Sequence, residues 1–193
     1  MREASIPEQK QALRKAYAET SSQLSAAYKE KANKCMTDFL LHSSVYRQAS
    51  SIFIYISTAS EPDTRAIIEN AWKAEKAVYV PKCYGQGRME AVRVTDWDDL
   101  APGKLGILEP RDPLHFQMAD SVDLCVVPCV AVTRSGLRLG HGAGYYDRWL
   151  KGHSSKLTIC LCFERMIAQS VPGDPWDVPI DHVLTEEGFF PPL

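Results

Sequence analysis

The residues best suited to chemistry lie in a glycine-rich segment, residues 136–147, which reads GLRLGHGAGYYD. Glycine adopts positive φ angles easily, so closely spaced glycines let successive backbone N–H groups point into one concave anion site. An apolar, strand-like run (122–128) precedes the segment, and helix formers follow it at 145–151. The glycines would then lie at a strand's carboxyl end and a helix's amino end, where the helix dipole favours a phosphate.

The spacing of these glycines does not decide their role. A glycine-rich turn between a strand and a helix can serve only to reverse the chain. A Walker loop would need Lys-Ser/Thr after its last glycine, but Gly144 is followed by Tyr145. A dinucleotide-binding fingerprint would need Gly-x-Gly-x-x-Gly, but Gly140, Gly142 and Gly144 occupy every second position. A structural turn and a phosphate cradle both remain open at this point.

Charged residues elsewhere could complete a site. Lys10 and Arg14 are four apart in a predicted helix (7–20), so their cations share a face, although a solvated helix surface explains them as simply. Glu61 follows a predicted buried strand (51–56) and opens a predicted helix. It is either a partner for the helix dipole or an acceptor for the paired N–H groups of an amino-pyrimidine ring.

The elements that must position these residues alternate along the chain. The predicted strands cover residues 51–56, 77–81, 88–94, 122–127, 157–163 and 183–185. The predicted helices cover 7–20, a second helix capped by Ser21-Ser22 and ending near residue 41, one opening at residue 61, and 145–151. Residues 96–100 suit a helical turn, followed by a Pro/Gly-rich connection at 101–113. This alternation predicts a three-layer, Rossmann-like α/β fold, with a mostly parallel sheet and helices on both faces.

Composition limits the classes of protein to consider. A chain of 193 residues with 45% hydrophobic content supports one core, so a single domain over residues 1–193 is expected. The net charge of −2 and dispersed basic residues argue against nucleic-acid or anionic-membrane partners. The sequence has no membrane span or signal peptide, which predicts a cytoplasmic protein, and we expect a monomer. The six cysteines are expected to be mostly buried free thiols.

The glycine-rich segment resembles a long family signature. The run Arg138-Leu139-Gly140-x-Gly142-x-Gly144-Tyr145-Tyr146-Asp147, with Pro128 ten residues before Arg138, is similar to that of the 5-formyltetrahydrofolate cyclo-ligase (5,10-methenyltetrahydrofolate synthetase) family. Other stretches match in order: Lys10-x-x-Leu13-Arg14, a strand then Glu61, Gly106-Ile107-x-Glu109-Pro110, Val171-Pro172, Asp177 and Asp181-x-Val183-Leu184-Thr185. The resemblance covers essentially the whole chain.

Two positions depart from the family pattern. Residues 129–133 read Cys-Val-Ala-Val-Thr where Gly-Leu-Ala-Phe-Asp is frequent, which indicates repacking. Ala143 stands where a lysine or glycine is usual, so a cation could be missing from the phosphate site. The second departure bears on the rate more than on the reaction.

The resemblance implies an ATP- and magnesium-dependent enzyme that converts 5-formyltetrahydrofolate to 5,10-methenyltetrahydrofolate and releases ADP and phosphate. The formyl group on N5 is an amide, whose oxygen is a very poor leaving group. Transfer of the γ-phosphoryl group of ATP to that oxygen makes it a good one, and N10 then closes the ring. The protein's part is positioning and charge stabilisation.

The resemblance also implies roles for individual residues. Arg138 and Tyr146 are the implied catalytic residues. The implied ATP site consists of Lys10, Gln11, Ala12, Leu13, Arg14, Arg138, Leu139, Gly140, His141, Gly142, Ala143, Gly144, Tyr145 and Tyr146. The implied folate site consists of Ile56, Glu61, His141, Gly142, Ala143, Gly144 and Tyr145. Asp147 and Asp177 are the implied magnesium ligands, although a helix cap and a loop turn would explain these two residues equally well.

Two other functions stay open on the sequence. One is a sugar-phosphate isomerase or acyl-transfer enzyme on a similar α/β scaffold, which would show no nucleotide dependence. The other is a non-catalytic folate- or nucleotide-binding relative, which the alanine at position 143 makes conceivable. Formation of methenyl product from ATP and 5-formyltetrahydrofolate would separate all three.

Overall fold

The computed structural model describes residues 4–103, 106–111 and 117–193. Its strands are β1 (Ser51–Ile54), β2 (Ala77–Gly85), β3 (Arg88–Val94), β4 (Leu100–Pro102), β5 (Leu108–Pro110), β6 (Ser121–Val127), β7 (Ala131–Val132), β8 (Arg138–Leu139), β9 (Ser154–Leu161), β10 (His182–Thr185) and β11 (Gly188–Phe190). Its helices are α1 (Ile6–Ser22), α2 (Ala26–His42), α3 (Ser44–Gln48), α4 (Arg65–Lys73) and α5 (Tyr145–Gly152).

Seven strands form the central sheet, in the order β11-β10-β9-β6-β1-β2-β3. All pairs from β10 to β2 are parallel, whereas β11 and β3 add to the two edges in antiparallel orientation. The near-continuous apolar runs of β1 and β6 fit this arrangement, because a central parallel strand is buried on both faces. The prediction of a mostly parallel α/β sheet is confirmed.

The connections place helices on both faces of the sheet. Helix α4 connects β1 to β2, which lies next to β1 on the side of the β3 edge. Helix α5 connects β6 to β9, which lies next to β6 on the side of the β11 edge, so the two connections run in opposite directions across the sheet. Since parallel crossovers are almost always right-handed, two crossovers running in opposite directions put their helices on opposite faces. The predicted three-layer architecture is therefore confirmed.

Helix α5 is fixed to the sheet by aromatic packing on β1. The ring of Phe53, which is fully buried, lies 4.5 Å from the ring of Trp149 and 5.8 Å from that of Tyr146, measured between centroids. Burial of each such side chain stabilises the fold by about 1.5–3 kcal/mol. This packing sets the position of the amino end of α5, where the glycine-rich segment ends.

The two crossovers diverge between β1 and β6, which pair in parallel through Ile54 and Val126. Such a divergence leaves a crevice beyond the carboxyl ends of the two strands, where open α/β sheets bind ligands. Glu61 follows β1, and the glycine-rich segment follows β6 through a short hairpin. The fold thus brings the two main candidate regions to the same crevice.

Strand β1 is shorter than predicted, and α4 starts later. The Thr64 hydroxyl donates to the carbonyl of Tyr55 at 2.8 Å, and the Tyr55 hydroxyl donates to the carbonyl of Pro62, also at 2.8 Å. These bonds draw the chain out of the sheet after Ile54, so the predicted strand over 51–56 was too long. Thr64 is the N-cap residue of α4, and the prediction that this helix opens at residue 61 was wrong.

The predicted cap of the second helix was also wrong. Helix α1 continues through Ser22, whose hydroxyl donates to the carbonyl of Glu19 at 2.7 Å within the last turn. The cap of α2 is instead Ser25, whose side chain accepts the Tyr28 N–H at 3.2 Å. The serines at 21 and 22 therefore end one helix and do not begin the next.

A small hairpin, whose second strand is the start of the glycine-rich segment, follows β6, and the sequence did not predict it. Strand β7 pairs with β8 through Ala131–Leu139 and Val132–Arg138. Residues 104–105 and 112–113 of the predicted connection at 101–113 lie outside the described residues, and β4 and β5 pair within the rest of it. Strand β9 runs from Ser154 to Leu161, earlier than the predicted 157–163.

Two expectations from composition can be compared with the structure. All six cysteines are free, and Cys125, Cys129, Cys160 and Cys162 are buried, as predicted. Across the described ranges, no helix combines the length and the apolar character that crossing a membrane would require. The monomeric state, the cytoplasmic location and the absence of nucleic-acid partners stay predictions.

Candidate active site

The residues between β8 and α5, 140–144, form what we call the glycine loop. Gly142 and Gly144 have φ angles of +105° and +66°, which side-chain-bearing residues rarely adopt. A Cβ atom on Gly142 would lie 3.4 Å from Cζ of Arg14. Gly136 has a different role, because a Cβ atom there would lie 2.0 Å from the carbonyl oxygen of Ile180. The cradle therefore comprises the glycine loop, and Gly136 serves packing.

Arg138 places a buried cation beneath the glycine loop. Its side chain is only 4% exposed, and its guanidinium donates to Asp147 Oδ2 at 3.0 Å and to the carbonyl of Pro128 at 3.2 Å. Its Nε has no hydrogen-bond partner among the described residues. A Cβ atom on Gly140 would lie 2.9 Å from Nη1 of this arginine. The cation thus lies directly against the loop backbone and keeps one donor unused.

Helix α1 brings two further cations to this region. Arg14 Nε donates to the carbonyl of Gly140 at 2.8 Å, and Lys10 Nζ donates to both carboxylate oxygens of Asp177, at 2.8 and 2.6 Å. Leu13 instead packs on the apolar cluster that contains Leu139. Gln11 and Ala12 are exposed, and Gln11 Oε1 accepts from Arg14 Nη1 at 3.5 Å, so a place for these two residues in the ATP site stays a prediction.

Asp147 and Asp177 come together through the backbone between 174 and 178. Asp147 Oδ1 accepts the N–H of Val178 at 3.2 Å, and Asp177 Oδ2 accepts the N–H of Asp174 at 2.8 Å. Each carboxylate also pairs with a cation, Arg138 or Lys10. Within the described part of the chain, no group of three or more His, Cys, Asp or Glu side chains forms a metal site. Two neighbouring carboxylates still fit Mg²⁺, which often takes one or two of them and completes its shell with phosphate oxygens and water.

Glu61 is held in a nearly buried position beside the glycine loop. Its Oε2 accepts the backbone N–H and the hydroxyl of Thr58, both at 2.8 Å, and its Oε1 lies 3.4 Å from His141 Nε2. Burial alone would raise the pKa of Glu61, but the hydrogen bonds from His141 and Thr58 outweigh burial and lower it. The hydrogen bond to Glu61 in turn raises the pKa of His141. An ionised carboxylate of fixed orientation therefore borders the loop.

A cleft of about 390 Å³ lies beside Thr58, the residue that bonds the Glu61 carboxylate. It is lined by the segment after β1, the start of α4 and the residues around β5, including Ile56, Thr58, Thr64, Trp97 and Leu108. Ile56 and Leu108 give it an apolar wall. A flat aromatic ligand bound to Glu61 could extend into this space.

Tyr146 supplies a buried hydroxyl under the loop. Its ring stacks on Phe53, and its hydroxyl has no partner among the described residues. Burial raises the pKa of Tyr146 well above its ordinary value, so this residue can donate a hydrogen bond but cannot accept a proton at neutral pH. Tyr145 instead packs against the core with part of its ring.

One neighbour of the loop was missed by the sequence analysis. Arg148 Nε donates to the carbonyl of Gly87 at 2.9 Å, and its guanidinium also bonds the carbonyl of Ala143. It thereby ties the turn between β2 and β3 to the glycine loop. Only its place directly after Asp147, in the first turn of α5, could have indicated it.

The chain resembles two named sequences and a solved structure over nearly its full length. The model of the 5-formyltetrahydrofolate cyclo-ligase family matches residues 6–186. A probable 5-formyltetrahydrofolate cyclo-ligase of Caenorhabditis elegans is 29% identical over 95% of each chain. The enzyme of that name from Haemophilus influenzae is 28% identical over 92% of this chain and 97% of its own.

The solved structure that we compared is the 5,10-methenyltetrahydrofolate synthetase of Aquifex aeolicus, at 28% sequence identity. It superposes with a TM-score of 0.82 over 93% of this chain and 91% of its own. The family match and the shared fold agree on the same identity for the chain. The chain belongs to the 5-formyltetrahydrofolate cyclo-ligase family.

Proposed function

We propose that this protein uses ATP and Mg²⁺ to convert 5-formyltetrahydrofolate into 5,10-methenyltetrahydrofolate, ADP and phosphate. The observation that carries the proposal is the contact of His141 with Glu61, 3.4 Å between Nε2 and Oε1. This contact places the glycine loop and its surrounding cations next to the Glu61 carboxylate, in the crevice between β1 and β6. A phosphoryl donor and a pterin could therefore meet there.

The phosphates of ATP would lie on the glycine loop. Its backbone N–H groups and the buried guanidinium of Arg138 would form the floor of the phosphate site, and Arg14 and Lys10 reach this region from α1. Two observations support a phosphate here. The Nε of Arg138 has no partner among the described residues and can donate to a phosphate oxygen. Arg14 comes so close to Gly142 that a side chain at position 142 would crowd it. Charge-assisted hydrogen bonds to phosphate are roughly twice as strong as neutral ones.

The pterin of the folate would bind Glu61. An ionised carboxylate with one oxygen held by Thr58 can accept paired N–H bonds from the amino-pyrimidine edge once His141 moves away. Ile56 and the cleft beside it would accommodate the rest of the substrate. His141, Gly142, Ala143 and Tyr145 would border both ligands, because the loop lies between the two sites.

The chemistry asks the protein for alignment and charge stabilisation. The γ-phosphoryl group of ATP would pass to the formyl oxygen as ADP leaves, and N10 would then attack the formyl carbon and expel that oxygen as inorganic phosphate. Arg138 would stabilise the charge that develops on the transferred group, since a buried cation in a dry site acts strongly. The Tyr146 hydroxyl, which has no partner among the described residues, would donate a hydrogen bond to the reacting oxygens.

Asp147 and Asp177 would hold the magnesium ion. Bound there, the ion would neutralise charge on the phosphates. Both carboxylates now pair with Arg138 and Lys10, and these cations could turn toward the phosphates when the carboxylates take the metal. The carboxylates and the cations would then exchange partners on binding.

The decisive experiment is a titration of ATP and 5-formyltetrahydrofolate that follows methenyl product and ADP. Equal amounts of ADP and methenyl product that appear only with both substrates would support the proposal. Neither methenyl product nor ADP, with no binding of either ligand, would favour a sugar-phosphate isomerase or acyl-transfer activity. Binding of both ligands without product would favour a non-catalytic relative.

A further inference from the structure

Trp176 is an aromatic side chain that the site described so far does not use. Its relative exposure is 73%, the highest of any exposed large hydrophobic residue in the described ranges. Removing such a ring from water is favourable, so an exposed indole directly before the proposed metal ligand Asp177 is a candidate contact for a ligand. An open indole face is suited to stacking with a flat ring.

The indole is held in a defined orientation. The Lys151 ammonium lies over the ring, 5.1 Å from its centroid, and also donates to the carbonyl of Pro175 at 3.3 Å. The backbone N–H of Trp176 donates to Asp174 Oδ1 at 3.1 Å. A cation therefore covers one face of the ring, and its large exposed area leaves surface for another partner.

The loop that carries Trp176 runs alongside α5. Val178 bonds Asp147 near the start of the helix, and Pro175 bonds Lys151 one turn later. Lys151 follows Asp147 by about one helical turn, so residues 175–178 contact side chains from two successive turns of α5. Trp176 also directly precedes Asp177, which holds Lys10.

We propose that Trp176 is the platform on which the base of the nucleotide stacks. A nucleotide whose phosphates lie among Lys10, Asp147 and Asp177 has its base one ribose beyond them, and Trp176 belongs to the short segment that bonds Asp147 and carries Asp177. The bonds that position Trp176 lead to these phosphate-site residues, whereas the folate carboxylate Glu61 contacts Thr58 and His141. The platform therefore belongs to the nucleotide. This inference rests on the proposed function, because it requires ATP as the phosphoryl donor.

The test compares three variants at this position by measuring ATP affinity. Trp176→Ala should weaken ATP binding on the order of tenfold, because a base–aromatic stack contributes about 1–3 kcal/mol. Trp176→Phe should restore most of the affinity and Trp176→Leu should not, since only phenylalanine keeps a stacking face. Phe39→Ala, which removes another exposed aromatic ring on α2, is the matched control and should bind ATP as the wild type does.

Two further measurements separate stacking from a general effect. The KM for 5-formyltetrahydrofolate should not change in Trp176→Ala. Inhibition by inorganic tripolyphosphate, which has the charges of ATP without its base, should be the same in Trp176→Ala and wild type. ATP affinity unchanged in Trp176→Ala, full rescue by leucine, or an equal loss for tripolyphosphate would each overturn the platform. A wild-type protein that forms no methenyl product with ATP would instead overturn the proposed function.

Discussion

His141 Nε2 lies 3.4 Å from Glu61 Oε1, so a side chain of the glycine loop occupies the carboxylate that we propose for the pterin. The hydrogen bond to Glu61 raises the pKa of His141 above its ordinary 6.5, although burial opposes this shift and Arg138 adds to the opposition. His141 is 61% exposed at its side chain and Glu61 only 10%. The loop residue is therefore the one free to move.

The pH range over which the ion pair of His141 and Glu61 forms follows from the raised pKa of His141 and the lowered pKa of Glu61. Because the folded-state pKa of His141 is raised, its stabilisation is fully present below pH 6.5 and is lost as the pH rises through the raised value. Because the pKa of Glu61 is lowered, its share is present above pH 4.5 and is lost as the pH falls through the lowered value. The pair thus competes with the pterin in mildly acidic solution.

We predict that affinity for 5-formyltetrahydrofolate increases as the pH rises through the raised pKa of His141. The increase should be at most about fivefold, since a partly exposed ion pair contributes about 0.2–1 kcal/mol. Calorimetric titrations on both sides of this pKa, without nucleotide, measure it. His141→Gln should remove the pH dependence and keep the high-pH affinity. If His141→Gln shows the wild-type slope, another group controls binding.

Glu61→Gln provides the complementary control. It should also remove the pH dependence, but with low folate affinity at every pH, because charge-assisted hydrogen bonds of about 1.5–3 kcal/mol are lost. Its ATP affinity should stay near the wild-type value. An equal loss of ATP and folate binding would make Glu61 a structural residue.

The second prediction concerns the backbone of the glycine loop. Gly142→Val should abolish measurable ATP binding, because φ of +105° strains any L-residue, about 1–3 kcal/mol, and the new side chain would press on Arg14. The loop is exposed, so circular dichroism should show an intact fold. Gly152→Ala is the matched control, since a Cβ atom there meets no atom within 4 Å. ATP affinity retained by Gly142→Val would remove the cradle from the site.

Local patterns in the sequence were enough to predict the elements that flank the site. Residues 122–127 and 145–151 form β6 and α5 almost as predicted, because a dense apolar run and a run of helix formers decide such segments locally. Strands β7 and β8 could not be predicted in this way. Each has two residues, too few to show any periodicity, and they pair only because the chain turns back at Gly136.

Contacts between residues far apart in the chain could not be predicted from local sequence patterns. Lys10 and Asp177 are 167 residues apart, and the spacing of neither residue indicates the other. The same holds for Glu61 and His141, which meet because two crossovers diverge between β1 and β6. The resemblance to a family brought these residues into one site, and the sheet order supplies the physical reason.

The third prediction concerns the two carboxylates. Asp147→Asn and Asp177→Asn should each raise the Mg²⁺ concentration needed for half-maximal activity, because an amide oxygen lacks the charge that a hard cation prefers. Asp120→Asn, at an exposed carboxylate elsewhere, should titrate as the wild type does. An unchanged metal titration with a raised KM for ATP would mean that these residues only position Arg138 and Lys10.

The fourth prediction separates stability from function at Tyr146. Tyr146→Phe removes a buried hydroxyl that has no partner among the described residues, so the free energy of unfolding should stay equal or rise by about 1 kcal/mol. Turnover should fall, because the hydroxyl would no longer donate to the reacting oxygens. Denaturant unfolding and steady-state kinetics measure the two effects. Lower stability with normal turnover would show that the hydroxyl serves the fold.

The last prediction tests the order of bond making and breaking. If 5-formyltetrahydrofolate carries heavy oxygen in its formyl group, the label should appear in the released inorganic phosphate. The formyl oxygen forms a P–O bond to the γ-phosphorus, and attack by N10 then breaks the C–O bond, so the oxygen leaves with the phosphorus. Mass spectrometry of the phosphate measures the transfer, and a reaction in labelled water with unlabelled substrate is its control. Label that appears in water instead would mean that ATP drives some other step, and the cations around the glycine loop would then need a role other than phosphoryl transfer to the substrate.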